Sequence, residues 1–130
     1  MREIKFRVWR TKIKEMGKVD SINFREGEVH CSDNSFGYPK DECILMQFTG
    51  LKDKNRKEIY EGDIVKVIEI ISKGKLEVKY PEMVVFEEGS FWLETLDKKC
   101  PEKCKQNFIC VIGRKLEIIG NFYENPELLK

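Results

Sequence analysis

The chain has 130 residues, 41% of them hydrophobic and 36% charged, which is enough to fill one core beneath a surface crowded with charges of both signs. Lys and Arg number 24 against 23 Asp and Glu, a formal net charge of +1. That balance excludes a domain that wraps nucleic acid by bulk electrostatics, and no apolar run is long enough to cross a bilayer as a helix.

Residues 4–9 alternate with period two. Ile4, Phe6 and Val8 share one face and Lys5, Arg7 and Trp9 the other, as in a half-buried strand. The same alternation leaves no apolar stretch of the secretory kind, so a cytoplasmic protein is expected. Glu15-Met16-Gly17-Lys18 reads as a turn, 19–24 as a weaker strand, and Arg25-Glu26-Gly27-Glu28 as a turn into Val29-His30-Cys31. Residues 32–42 have loop composition and carry the aromatic pair Phe36 and Tyr38, a possible contact loop for a partner. A short strand is expected over 43–49.

Residues 63–71 are dense in β-branched side chains and favour strand over helix. Further strands are expected at 76–80, 83–86, 91–96, 108–112 and 116–122, with turns at 72–75 and 87–90 and a second polar loop over 97–107. Asn125-Pro126-Glu127 reads as N-cap, proline at the first helical position and an acidic first turn. The expected fold is mainly β, a small twisted β-barrel or two packed antiparallel sheets, with long loops and a short C-terminal helical turn, in a single domain over 1–130. Its core draws on Ile4, Phe6, Val8, Leu45, Ile64, Val67, Val78, Trp92, Ile112 and Ile118.

The most informative stretch is 46–65, Met-Gln-Phe-Thr-Gly-Leu-Lys-Asp-Lys-Asn-Arg-Lys-Glu-Ile-Tyr-Glu-Gly-Asp-Ile-Val. It reads as a strand, a charged turn at Asp53-Lys54-Asn55-Arg56, and a second strand begun at Gly62-Asp63. This stretch resembles the signature segment of the YopX family, small proteins of phages and prophages. Residues 2–9 are similar to that family's N-terminal strand and residues 119–129 to its closing segment, in the same order; 72–115 match loosely. The resemblance implies an all-β fold and the cytoplasm of a bacterial host, and it brings no established activity with it. Family members usually have glycine after the turn asparagine. Here Arg56 stands there, and a turn that needs positive φ is strained at this position.

The sequence offers little reactive chemistry. His30, the single histidine, and Cys31 are neighbours on a strand and point to opposite faces, so they cannot pair as nucleophile and base. Cys100, Cys104 and Cys110, with His30 or Cys31, could supply four metal ligands, yet the two-residue spacing of a zinc knuckle is absent. No metal, no cofactor and no enzymatic activity are expected. The expectation is an accessory protein that binds a host or phage protein, or itself. The alternative is a nucleic-acid-binding barrel that uses Lys5, Arg7, Trp9 and Arg10 as cations interleaved with an aromatic platform.

Overall fold

The computed structural model describes residues 3–70, 76–78, 81–99, 105–107 and 115–129. Its regular structure is almost all strand: β1 (Phe6–Arg10), β2 (Glu15–Asn23), β3 (Glu28–Cys31), β4 (Gly37–Pro39), β5 (Cys43–Lys52), β6 (Glu58–Tyr60), β7 (Asp63–Ile70), β8 (Leu76–Val78), β9 (Glu82–Glu87), β10 (Ser90–Thr95), β11 (Lys105–Asn107) and β12 (Lys115–Asn121). Short 3-10 turns cover Lys40–Glu42 and Pro126–Leu129. The expected turn at 125–129 is therefore present, directly after Asn125, whose Oδ1 accepts from Asn121 N at 3.0 Å.

The strands form two antiparallel sheets, of order β4-β3-β2-β1-β5-β6 and β11-β10-β9-β7-β12, with β8 paired to β7. Of the two expected architectures, the closed barrel is not formed. Each sheet is an open path among the described residues. The chain divides into two compact units, Met1–Phe48 and Thr49–Lys130.

In the first unit, Val8, Val29 and Cys31 are buried, with Val19, Tyr38, Cys43 and Leu45 packed on them. Ile4, expected in this core, is 64% exposed because β1 begins only at Phe6. The turn expected at Glu15–Lys18 lies earlier, at residues 11–14, closed by Lys14 N donating to Arg10 O at 2.8 Å with Lys14 at φ 54°. Gly17 marks no turn. It is a buried strand residue, and a Cβ there would stand 2.8 Å from Cys31 Sγ and 3.1 Å from Arg10 Cζ. Its missing side chain is the room those two groups occupy.

In the second unit, Ile59, Val65, Val67, Val84, Leu93 and Leu116 are buried together, with Phe91 and Ile118 against them. Trp92, expected in the core, is half-buried and donates Nε1–H to Glu87 O at 2.9 Å. Ile112 and the side chain of Val78 lie outside the described residues, as do the expected turn at 72–75 and strand at 108–112. Two short strands fall inside the expected loops: β4 in 32–42 and β11 in 97–107. Each has only three residues and takes its order from a longer neighbour, β3 or β10, rather than from its own composition.

Among the described residues the second sheet ends at β12, and the signature segment covers that edge. Asp53 Oδ1 accepts from Asn55 N at 2.8 Å and Lys57 N at 2.9 Å, and Oδ2 accepts from Ile118 N at 3.1 Å. Lys54 N donates to Leu116 O at 2.8 Å. A turn, and not another strand, thus satisfies Leu116 O and Ile118 N of β12. This is one of the ways proteins blunt a sheet edge. Asp63, 2% exposed, does similar duty nearby, accepting from Tyr60 N at 2.8 Å.

Arg56 N donates to Asp53 O at 3.0 Å and Asp53 N to Lys57 O at 2.8 Å, with Arg56 at φ 65°. This is a three-residue hairpin loop whose last member occupies the left-handed region that suits glycine. Arg56→Gly should relieve about 1 kcal/mol of strain and raise the melting temperature by roughly 3 °C; thermal unfolding that shows no rise would refute the strain. Asp53→Ala should remove roughly 3 kcal/mol, because it leaves Ile118 N–H without its acceptor.

Burial pushes the Asp53 carboxyl up, but the N–H groups of Ile118, Lys57 and Asn55 outweigh it and hold the group below the ordinary aspartate range. A depressed folded-state value means that the stability from Asp53 is fully present above about pH 4, the unfolded value, and is lost as pH falls through the folded one. Urea titrations between about pH 4 and pH 2 should therefore show a shallower loss of stability for Asp53→Asn than for the natural chain.

Candidate functional site

The groups with chemical potential in the first unit converge on Arg10. Strand alternation places Arg10 on the same face as Val8, opposite Arg7 and Trp9. Its side chain is 2% exposed. The guanidinium forks onto a single carboxylate: Nη1 donates to Asp33 Oδ1 at 3.0 Å and Nη2 to Asp33 Oδ2 at 2.9 Å. Nη2 also donates to Met16 O at 3.2 Å and lies 3.6 Å from Glu15 Oε2. The cation sits over the Tyr38 ring with Cζ 5.3 Å from the centroid. This is the planar, bidentate and ring-stacked environment that suits arginine and not lysine.

Paired in this way, the guanidinium is held even more firmly protonated than usual, chiefly through its hydrogen bond to Asp33. That same bond holds the Asp33 carboxyl below its ordinary range. Cys31 lies beside them, buried, and burial pushes its thiol up; Cys43 is pushed up for the same reason. Neither thiol is activated as a nucleophile, which needs a lowered value. His30 stands apart from Cys31, with Nε2 3.5 Å from Glu28 Oε2.

Arg10 therefore does not join Lys5, Arg7 and Trp9 on an outward basic face. Those three lie on the other side of the strand direction, each half-buried. Their register partners on β5 include Met46, opposite Arg7, and Ile44, opposite Trp9. Met46 and Phe48 on that side are 2% and 5% exposed. Lys5 Nζ lies 5.6 Å from the Phe48 ring centroid and 2.9 Å from Glu3 Oε1.

The aromatic pair of the 32–42 loop is divided. Tyr38 turns inward to Arg10, and its hydroxyl accepts from Asn34 Nδ2 at 2.7 Å. Phe36 is 71% exposed. The loop beneath it is fixed by Ser32 N to Lys18 O at 3.0 Å, Phe36 N to Asn34 Oδ1 at 3.0 Å, and the Arg10–Asp33 fork. Sequence reasoning misses Asp33 altogether, since an aspartate in a loop reads as turn chemistry. Its only signal is the inward parity of Arg10 with Val8.

Among the described residues no group of three or more His, Cys, Asp or Glu is placed to hold a metal ion. Cys100, Cys104 and Cys110 lie outside those residues. No helix among the described residues is long and apolar enough to cross a membrane.

A family model described as YopX protein matches residues 5–130. Among solved structures, the chain is similar to the crystal structure of protein EF1440 from Enterococcus faecalis. The two share 26% sequence identity with a TM-score of 0.66, and the match covers 100% of both chains. No curated protein matches the chain.

Gly17→Ala tests the packing around Arg10. The added methyl meets Cys31 Sγ and the guanidinium, and should cost about 2 kcal/mol. Shrinking the neighbour as well, in Gly17→Ala/Cys31→Ala, should return part of that loss, so the two effects are non-additive in chemical unfolding. Strict additivity would mean that Cys31 is not what Gly17 accommodates.

Proposed function

The chain belongs to the YopX family, and on that premise we propose that it is a phage or prophage accessory protein, cytoplasmic in its host, that works as a non-enzymatic binding module for a protein partner or a second copy of itself. Phe36 carries this reading. An aromatic ring 71% exposed stands on a loop that is held in place from behind by the Arg10–Asp33 fork. Exposed aromatic side chains are the commonest anchors of protein interfaces. A loop ordered before binding also avoids most of the entropy cost of being ordered on binding. The thiols pushed up by burial and the separation of His30 from Cys31 support the non-enzymatic part. The nucleic-acid alternative has less support, because Arg10 faces inward and Lys5 is engaged with Glu3 and Phe48.

Phe36→Ala should leave thermal stability within about 0.5 kcal/mol, as surface truncations do. It should weaken partner binding or self-association by roughly 30-fold, the size of an anchor residue's contribution. Affinity capture from host lysate and light scattering of the purified protein, each run with the natural chain, Phe36→Ala and the control Phe24→Ala, read this out. Phe24 is 87% exposed on the β2–β3 turn, so loss in both variants alike, or in neither, would remove Phe36 from the reading.

A further inference from the structure

The Arg10–Asp33 pair is lopsided. The guanidinium is 2% exposed while the carboxylate that neutralises it is 52% exposed and rides on a surface loop. The rest of its surroundings is built in: the Tyr38 ring, the carbonyl of Met16 and the space over Gly17 that the guanidinium shares with Cys31 all belong to strands, with the Glu15 carboxylate 3.6 Å from Nη2. Arg10 Nε, outside the fork, is buried with no hydrogen-bond partner. The loop does not depend on Asp33 alone, since Ser32, Asn34 and Phe36 make their own hydrogen bonds.

A buried guanidinium requires a carboxylate or similar anion against it, but nothing requires that this anion come from Asp33. We propose that Arg10 is a carboxylate socket, filled in cis by Asp33, from which the carboxylate of another molecule displaces the Asp33 side chain. A carboxylate fits better than a phosphate, because Glu15 Oε2 lies only 3.6 Å from Nη2 and repels a second negative charge. This deepens the binding-module reading and rests on it only for the existence of a partner. Displacement exchanges one ion pair for another, so the tethered aspartate weakens external binding through its effective concentration without abolishing it.

The test opens the socket. Asp33→Ala should melt below the natural chain. At about 0.1 M, sodium acetate should raise its melting temperature by roughly 3 °C more than sodium chloride of equal ionic strength. The acetate-specific rise should be much smaller in the natural chain and absent from Arg10→Met/Asp33→Ala. Where Asp33→Ala does not fold, Asp33→Asn takes its place, keeping one acceptor and removing the charge. A capped peptide bearing one glutamate, compared with its glutamine counterpart, identifies the source: a response to the glutamate peptide assigns the ligand to a protein side chain, and a response to acetate alone assigns it to a small carboxylate. Acetate acting no better than chloride, or acting equally without Arg10, overturns the socket. Phe36→Ala in the Asp33→Ala background should leave the acetate response unchanged, so failure of the socket and failure of the recognition loop are separate results.

Discussion

One carboxylate organises the signature segment. Asp53 is 6% exposed and uses both of its oxygens on backbone N–H groups, two within its own turn and one on β12, 65 positions along the chain. Each bond replaces water on a charged acceptor with a fixed donor, and charge-assisted bonds of this kind are about twice as strong as neutral ones. The backbone of the same residue closes the hairpin through Lys57 O and Arg56 N. The turn can seal the outer edge of β12 only because Asp53 holds it in this shape. Without that seal Leu116 O and Ile118 N would stand unpaired on the last strand of the sheet, next to the buried Leu116 side chain.

Arg10 presents the opposite economy. Where Asp53 collects neutral donors, Arg10 brings a full charge into the core of the first unit and needs a full charge in return. Gly17 gives it space, Tyr38 a ring and Met16 a carbonyl; Asp33 meets the charge in a bidentate fork and Glu15 from 3.6 Å. A well-packed apolar side chain at this position would be no less stable by the usual comparison of buried ion pairs with hydrophobic replacements. The pair is therefore better explained by what it does to the loop at 32–36 than by any gain in stability.

Strand alternation made much of this fold legible. The shared face of Phe6 and Val8, the β-branched run of β7 and the hairpin of β9 with β10 follow from side-chain period two and turn composition alone, whereas Arg10 was grouped with the opposite, basic face. Arg56 was legible as a strained residue because the family resemblance implies glycine at that position, and a side chain there is strained where φ is positive. Gly17 was not, since a glycine beside Lys18 and Glu15 looks like a turn unless the two bulky groups above it are known. The short strands β4 and β11 were hidden because three residues carry too little pattern and their pairing is set by a neighbour. Asp33 was hidden for a related reason. Its partner lies 23 positions away, and pairing between distant residues leaves no periodic trace.

The segments on which the family resemblance is read are segments where side chains serve the backbone. Asp53 and Asp63 accept from main-chain N–H groups within the signature. In the closing segment Asn121 Oδ1 accepts from Tyr123 N and Glu124 N, and a Cβ on Gly120 would lie 2.6 Å from Asn125 Oδ1. Residues engaged in this manner are restricted by geometry whatever the protein binds. A motif composed of them reports how the chain folds, and chains that share it can differ in what they recognise. If the chain is a binding module, recognition draws on side chains the scaffold leaves outward, and the loop at 32–36 combines an outward aromatic, Phe36, with the half-exposed carboxylate of Asp33.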